Sequence, residues 1–257
     1  MVTFLLKKSY QLKNLKEVKF QDLWGHHGIF TTMWIFGNPP KILFFDKHIR
    51  NLVNSLLKYR IKKQSLKKNI IEVINVNLSK KIYYNHLLRV AVNKKIISIS
   101  LRKRLSPKLD FSLRLVDLKR NKPEYKNLKY KKILHHLKKI DNSRSDIGIV
   151  NRSKILETGT SNLLFVKDEK VFTPKKDYYQ GQTYKYFRSK IKNIIKKDIF
   201  VKELKDYDEI ILLGSGKGVT SVKRINQINW KRKSLNYYRI FLKHYKLAIK
   251  KCNIYKF

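Results

Sequence analysis

The chain has 257 residues, 42% of them hydrophobic, which suffices for one large or two modest folded domains and excludes a disordered tail. The first residues hold only a short apolar run before Lys7 and Lys8, and no later segment approaches the ~20 apolar residues of a membrane span. We therefore expect a soluble, cytoplasmic protein. Its single cysteine, Cys252, excludes an internal disulfide and a cysteine-based zinc site.

The formal net charge of +42 predicts non-specific attraction to polyanions such as nucleic acids. The basic residues, mostly lysine, are spread over the whole chain, and Ile, Asn, Tyr and Phe, whose codons are also rich in A and T, are abundant. Drift of the genome towards A and T would give an ordinary enzyme this charge, whereas a dedicated nucleic-acid binder should cluster it. Compositional drift is the favoured interpretation, and a selected nucleic-acid surface stays open as the alternative.

The first half of the chain predicts an α/β region. After an N-terminal strand region, hydrophobic spacing predicts two helices, then two strands about the Asn93–Lys94 turn and a further strand, over residues 48–61, 66–78, 87–101 and 111–118. Ser65 is suited to cap the second helix. The charged stretch around Pro123 is the best connector, so we predict a smaller domain over 1–118, a linker over 119–125 and a larger domain over 126–257.

The second half predicts a helix, a series of short strands and two further helices. The strands are separated by short polar turns that suit hairpins, and they lie at 146–150, 154–158, 162–166 and 170–174. Helices are predicted over 128–140, from Gly181 to residue 197, and after Ser234. Between the last two helices, a buried strand over 207–213 runs into a glycine-rich loop.

Two glycine-containing elements of the second half are suited to an anion. The stretch Gly181–Thr183 precedes a helix, whose free N–H groups and positive dipole end attract phosphate, and Gly214–Gly216 follows a strand. The sequence "GSGKG" also contains part of a dinucleotide-binding fingerprint. Too little chain follows Gly218 for the strand that carries the ribose-binding acid, so we reject that interpretation.

The order of seven short segments resembles the fold-type IV pyridoxal-phosphate enzymes, the class IV aminotransferase family. This family includes branched-chain aminotransferases, D-amino-acid aminotransferases and aminodeoxychorismate lyases. Each segment is common by itself, and their shared order is the specific signal. The segments are His27–Met33, Asp46–Ser55, Arg120–Tyr130, Ile155–Val166, Val171–Pro174, Gly181–Thr183 and Tyr207–Val222.

The resemblance implies roles for one lysine and one glutamate. Lys129, in "LKY", would form the Schiff base with pyridoxal 5'-phosphate, and Glu157, in "LETGTSN", would face the nitrogen of the pyridine ring. A carboxylate there keeps that nitrogen protonated, so that the cofactor draws electrons from a carbanion on the substrate. The small residues 158–160 would let the backbone approach the ring.

The resemblance also implies how the cofactor phosphate is held. Backbone N–H groups of Gln182 and Thr183, together with Ser215 and Gly216, would bind it. Arg50 is a further candidate, although the chain departs from the family's H-x-x-R pattern at this point.

Four departures from the family pattern bear on the site. Asn51 occupies the position of the H-x-x-R arginine, Tyr184 replaces an arginine that often follows "G-x-T", and Lys132 replaces an asparagine. His26-His27-Gly28 stands where relatives often have Gly-Asp-Gly.

Adjacent histidines on a strand point to opposite faces, and the His135–His136 pair is separated by about 100° on a helix. We therefore predict no metal site, and His27 as the histidine best placed to line the pocket.

The segment Gly28–Met33, "GIFTTM", is most similar to aminodeoxychorismate lyases. The resemblance then implies conversion of 4-amino-4-deoxychorismate to 4-aminobenzoate and pyruvate, a step towards folate, with Thr31 and Thr32 contacting the substrate. It further implies a homodimer, and a smaller N-terminal α/β domain followed by a larger domain with a barrel-like sheet. Two alternatives stay open, namely a branched-chain or D-amino-acid aminotransferase and a basic nucleic-acid-binding protein without enzymatic activity.

Overall fold

The computed structural model describes residues 3–191 and 193–257. The chain divides into two compact units. The first unit comprises the residues up to Arg104 together with Tyr125–Lys131 and Lys251–Phe257, and the second comprises Leu105–Glu124 and Lys132–Lys250. None of the helices in the described part of the chain is long and apolar enough to cross a membrane.

The first unit contains a six-stranded sheet in which every neighbouring pair is antiparallel. The strand order is β2-β1-β6-β5-β3-β4. The strands are β1 (Phe4–Gln11), β2 (Glu17–Val18), β3 (Gly28–Gly37), β4 (Lys41–Ile42), β5 (Tyr84–Asn93) and β6 (Ile96–Lys103). The turn predicted at Asn93 is confirmed, since the Asn93 side chain accepts hydrogen bonds from the N–H groups of Lys95 and Ile96 (both 2.8 Å).

Two helices cover one face of this sheet. They are α1 (Phe45–Lys58), which packs on β3, and α2 (Leu66–Asn77), which packs on β6. Successive side chains of a strand point to opposite faces. One face of β3 therefore contributes Ile29, Met33 and Ile35 to the same core as Ile49 and Ile70 of the helices. Both predicted helices are confirmed.

The second unit contains two five-stranded sheets, ordered β12-β11-β10-β13-β14 and β16-β15-β7-β8-β9. β7 runs parallel to β8, and β12 runs parallel to β11. The strands are β7 (Ser112–Asp117), β8 (Ser145–Asn151), β9 (Lys154–Thr158), β10 (Asn162–Lys167), β11 (Lys170–Pro174), β12 (Ile194–Lys197), β13 (Glu209–Gly214), β14 (Gly218–Ser221), β15 (Arg224–Ile225) and β16 (Trp230–Lys231).

Three further α-helices are α3 (Lys131–Leu137), α4 (Gln182–Lys190) and α5 (Asn236–Lys250). The Glu209 carboxylate accepts hydrogen bonds from the N–H groups of Tyr237 (2.9 Å) and Tyr238 (2.8 Å) and so caps the start of α5. Short 3-10 helices lie at Val201–Asp206 and Asn226–Ile228. A mixed α/β fold, as the sequence predicts, is thus present.

The structure differs from the sequence prediction at the end of one helix and in the division of the chain between the two units. The helix predicted to reach residue 197 ends at Lys190, and Ile194–Lys197 instead forms β12 beside β11. Residues 105–118, predicted to belong to the N-terminal domain, lie in the second unit, because β7 pairs with β8 more than thirty residues further along the chain. Residues 126–131 and the last seven residues, all predicted to belong to the larger C-terminal domain, lie in the first unit. There, Ile254 bridges Lys41.

Candidate active site

Glu157 is a buried carboxylate on β9 in the second unit. It lies opposite Ile149 of β8 in an antiparallel register, and only 6% of its surface is exposed. One carboxylate oxygen, Oε1, forms an ion pair with the guanidinium of Arg120. The other, Oε2, accepts a long hydrogen bond from the backbone N–H of Tyr179 (3.4 Å).

Arg120 reaches Glu157 because of the parallel pairing of β7. After β7 ends at Asp117, the N–H of Leu118 donates to the carbonyl of Val150 (2.9 Å), so the chain continues beside the end of β8. The Arg120 side chain is then only 7% exposed, as is that of Glu157. Arg120 had no predicted role, because its separation of 37 residues from Glu157 leaves no local pattern in the sequence.

The turn that follows Glu157 is fixed by the buried carboxylate of Asp146. The hydroxyl groups of Thr158 and Thr160 both donate hydrogen bonds to Asp146 Oδ2, at 3.0 and 2.5 Å. A Cβ on Gly159 would lie 2.8 Å from Cγ1 of Ile147. These small residues therefore allow close packing of the turn on β8, a role that the sequence analysis did not assign to them.

Asn162, at the start of β10, holds the segment that leads into α4. Its Nδ2 donates to the carbonyl of Tyr179 (2.5 Å), and its Oδ1 accepts from the N–H of Gly181 (2.9 Å). Gly181 is the residue immediately before α4. The beginning of this helix is thus tied to β10 by two hydrogen bonds from one buried side chain.

The start of α4 presents unused polar groups. Gln182 and Thr183 are 4% and 1% exposed. Their side-chain atoms Nε2 and Oγ1 are buried without a hydrogen-bond partner among the described residues. Buried polar groups are nearly always paired, and the N–H groups of a first helical turn are suited to an anion. This part of the site therefore fits a phosphate group.

The second predicted phosphate loop is the hairpin turn between β13 and β14. Gly218 has φ +67°, a left-handed conformation that favours glycine at the end of a three-residue loop. A Cβ on Gly214 would lie 2.5 Å from the hydroxyl of Ser161, the residue before Asn162. The Gly181 segment and the loop with Ser215 and Gly216 thus both adjoin the start of β10.

Lys217 anchors this second loop, a role that the sequence analysis missed. Its ammonium group donates to the backbone carbonyls of Asn142 (2.7 Å) and Ser145 (3.5 Å) and lies 4.7 Å from the centre of the Phe111 ring. The side chain is buried although it is charged. It is therefore a structural support for the loop.

Lys129 belongs to the first unit, where the chain pairs with the start of β3. The N–H of Phe30 donates to the carbonyl of Lys126, and the N–H of Leu128 donates to the carbonyl of Gly28 (both 2.9 Å). Leu128 and Tyr130 are buried, whereas Lys129 between them is exposed. Lys129 is therefore an exposed lysine on a backbone held by hydrogen bonds, and a lysine amine is the group that forms Schiff bases with carbonyl compounds.

Thr31 and Thr32 lie on opposite faces of β3. Thr31 is buried on the face that packs against α1, and its hydroxyl hydrogen-bonds Nδ1 of the buried His48 (2.8 Å). Thr32 is half-buried on the other face. Adjacent strand residues cannot line one side of a sheet together, so only one of these two threonines is available on each face.

Arg50 and His27 are exposed residues of the first unit. Arg50 lies on the outer face of α1. The imidazole of His27 stacks on Tyr59 with ring centres 4.9 Å apart, and its Nε2 lies 3.0 Å from the Tyr59 carbonyl oxygen.

An aromatic cluster beside Lys129 was not predicted. The indole of Trp24 stacks with Tyr130 (5.7 Å between ring centres), and the guanidinium of Arg89 lies 3.8 Å from the centre of the Trp24 ring. Burial lowers the pKa of Arg89 to about 10, which leaves the group charged at neutral pH. The cluster thus packs against Tyr130, the residue that follows Lys129.

The Amino-transferase class IV family model matches residues 28–225, most of the chain, and the chain therefore belongs to this family. No curated protein matches it.

Solved structures share the fold at low sequence identity. A branched-chain aminotransferase from Thermoproteus uzoniensis is similar with a TM-score of 0.74 at 16% identity, over 95% of each chain. A hypothetical aminotransferase from Mycobacterium tuberculosis in its PLP-bound form gives 0.68 at 14% identity, over 95% of this chain and 99% of that one. A candidate 4-amino-4-deoxychorismate lyase from Legionella pneumophila gives 0.66 at 17% identity, over 85% and 91%.

Proposed function

We propose that this class IV protein is a pyridoxal-phosphate-dependent lyase that converts 4-amino-4-deoxychorismate to 4-aminobenzoate and pyruvate. The observation that carries cofactor binding is the pair of buried, unused polar groups of Gln182 and Thr183 at the start of α4. The segment Gly28–Met33, which forms the first part of β3, supports the lyase branch through its resemblance to those enzymes.

Family membership and the PLP-bound neighbour from Mycobacterium tuberculosis indicate pyridoxal phosphate as the cofactor. When bound, this cofactor supplies an electron sink for negative charge that develops on the substrate. Gln182 and Thr183 would bind its phosphate group together with Ser215 and Gly216. Glu157 would accept a hydrogen bond from its ring nitrogen.

Lys129 would attach the cofactor through Nζ and then act as the base. With the substrate's amino group held by the cofactor, Lys129 Nζ would take the proton from the ring carbon that bears this amino group. The bond from the neighbouring ring carbon to the enolpyruvyl oxygen breaks, and the ring becomes aromatic. The protonated Nζ returns its proton to the methylene carbon of the leaving group, which yields pyruvate.

The remaining predicted site residues receive weaker roles in the proposal. Of the two threonines, Thr32 is assigned the substrate contact, since the hydroxyl of Thr31 is already bonded to His48. Arg50 is retained only as an outer contact for the phosphate, because its side chain is exposed. A homodimer with a small-molecule substrate is part of the same proposal.

The test is formation of 4-aminobenzoate by purified protein that has been loaded with pyridoxal phosphate. The substrate is aminodeoxychorismate, and no keto acid is added. Lys129→Ala should abolish product, whereas the matched control Lys138→Ala, another exposed lysine, should retain it. Loaded wild-type protein that forms no 4-aminobenzoate would contradict the lyase proposal.

The same preparation tests the aminotransferase alternative, which enters because a branched-chain aminotransferase from Thermoproteus uzoniensis also shares the fold. An aminotransferase leaves the cofactor in its amine form and requires a keto acid to complete the cycle, whereas a lyase does neither. Turnover of an amino acid only in the presence of a keto acid would therefore show that the protein is an aminotransferase and not a lyase.

A further inference from the structure

The loop between β13 and β14 combines an accessible tip with a buried base. Ser215 and Gly216 form the tip and are half-buried, whereas Lys217 and Gly218, which follow them, are buried. The hydroxyl of Thr220 on β14 donates a hydrogen bond to the carbonyl of Lys217 (3.0 Å), so β14 holds the backbone of the loop. The tip thus stays accessible on a backbone that is fixed directly after it.

The side chain of Lys217 ties this loop to the other sheet of the second unit. Its ammonium group donates to the carbonyl of Asn142 (2.7 Å) and to that of Ser145 (3.5 Å), the first residue of β8. It also lies 4.7 Å from the centre of the ring of Phe111, the residue before β7. Since β13 and β14 belong to one sheet and β7 and β8 to the other, Lys217 couples the position of the loop to the sheet that also contains Glu157.

Hydrophobic packing alone does not require a charged group at this position. An ammonium group is costly to bury, and only 8% of the surface of Lys217 is exposed. Hydrogen bonds to the two carbonyl groups and the cation–π contact with Phe111 offset this cost. Because these contacts have preferred directions, they restrict the loop more than an apolar side chain of the same length would.

We propose that Lys217 is a positioning residue that holds the Ser215–Gly216 tip in the conformation that binds the phosphate group of the cofactor. This inference rests on the proposed cofactor. Backbone N–H groups bind an anion more tightly when their directions are already set, because less ordering is then needed on binding. Lys217 acts on the phosphate only through the conformation of the tip, since its own ammonium group is directed to the carbonyls of Asn142 and Ser145.

The test compares the dissociation constants of pyridoxamine 5'-phosphate and of pyridoxamine, which lacks the phosphate. Neither compound carries an aldehyde, so a Schiff base with Lys129 contributes to neither constant. Several hydrogen bonds to a charged phosphate give the wild type an expected preference of about a hundredfold or more for the phosphorylated compound. Lys217→Met, which keeps the length of the side chain, should reduce this preference by about tenfold.

Two further variants separate the position of the loop from the stability of the unit. Gln227→Ala removes hydrogen bonds to the N–H and the carbonyl of Leu115 (2.5 and 2.9 Å). This matched control should destabilise the unit but leave the preference within about twofold of the wild type. Thr220→Val removes the hydrogen bond to the Lys217 carbonyl and should reduce the preference by about threefold to tenfold. If Lys217→Met does not fold, an unchanged preference in Thr220→Val overturns the proposal.

A purely structural role for Lys217 predicts a different outcome. Lys217→Met would then weaken the binding of both compounds by the same factor, and an unchanged preference overturns the proposal. An equal loss of preference in Gln227→Ala also overturns it, because general destabilisation would then explain the effect. A wild type without a preference for the phosphorylated compound overturns both the phosphate site and the role of Lys217. A wild type that shows the preference but forms no 4-aminobenzoate refutes only the proposed reaction.

Discussion

Replacement of Asn162 by alanine should destabilise the second unit and weaken cofactor binding together. The change removes two hydrogen bonds, one to the Tyr179 carbonyl (2.5 Å) and one from the Gly181 N–H (2.9 Å). Each contributes about 1 kcal/mol net, and a partner group left without a substitute adds to the loss. We expect the free energy of unfolding to fall by about 2–4 kcal/mol. Release of the helix start should weaken cofactor binding by at least ~1.4 kcal/mol, or tenfold.

The assay pairs urea unfolding with a fluorescence titration of pyridoxal phosphate. The matched control is Asn54→Ala, at an exposed position of α1, which should change the free energy of unfolding by less than about 0.5 kcal/mol. The reasoning fails if Asn162→Ala alters stability and cofactor affinity no more than this control does. Loss of stability with unchanged cofactor affinity would show that the Asn162 bonds do not position the start of α4.

Three further changes test the packing of each unit. Thr31→Val removes the hydrogen bond between the Thr31 hydroxyl and the buried His48 and should lower the free energy of unfolding in urea by about 1–3 kcal/mol; a loss below about 0.5 kcal/mol would contradict the observed bond. Gly159→Ala places a Cβ against β8 and should cost about 1–3 kcal/mol, so an unchanged melting temperature would be the contrary result. Burial raises the pKa of Tyr255 to about 12. The neutral phenol therefore stabilises the fold fully below pH 10, near the pKa of an exposed tyrosine. This contribution to the free energy of unfolding is lost as the pH rises towards 12, by up to ~1.4 kcal/mol per pH unit. Tyr255→Phe should therefore show a smaller fall in the free energy of unfolding between pH 9 and 12 than the wild type. The same pH dependence in both proteins would contradict the prediction.

Local patterns predicted most elements of the fold. The strands between residues 146 and 174 are joined by short turns, so alternation and turn residues suffice to place them. The stretch 191–197 illustrates the limit, because its lysines and isoleucines also fit a helix. There, parallel pairing of Ile194 and Ile195 with β11 decides the structure, and that partner lies more than twenty residues away in the chain.

The candidate site shows the same division between local and long-range information. Glu157 and the two glycine loops lie in short contiguous motifs, and the sequence could therefore single them out. Arg120 could not be linked to Glu157, since only the parallel pairing of β7 brings it near. The face of β3 on which Thr31 lies could have been predicted from the sequence. Thr31 is two residues from the apolar Ile29 and from Met33, so it shares their face of the strand.

The departures from the family pattern bear on how the phosphate is held. Tyr184, where relatives often have arginine, is fully buried, and its hydroxyl lies 3.1 Å from that of Tyr178. Arg50 is exposed on α1. The unused side-chain groups at the start of α4 belong to Gln182 and Thr183, and both are neutral. Hydrogen bonds from neutral donors are therefore expected to supply most of the phosphate affinity.

Because neutral donors hold the phosphate in this arrangement, the affinity for the cofactor should depend little on the +42 net charge of the chain. Neutral donors release few counterions, so raising the salt from 50 to 500 mM should change the dissociation constant of pyridoxal phosphate by less than about threefold. Binding of a single-stranded oligonucleotide through dispersed lysines should weaken by about a hundredfold or more over the same range. Two titrations of one preparation, followed by fluorescence, make the comparison. An equally steep loss for both ligands would show that cations hold the phosphate, and would refute a site built from neutral donors.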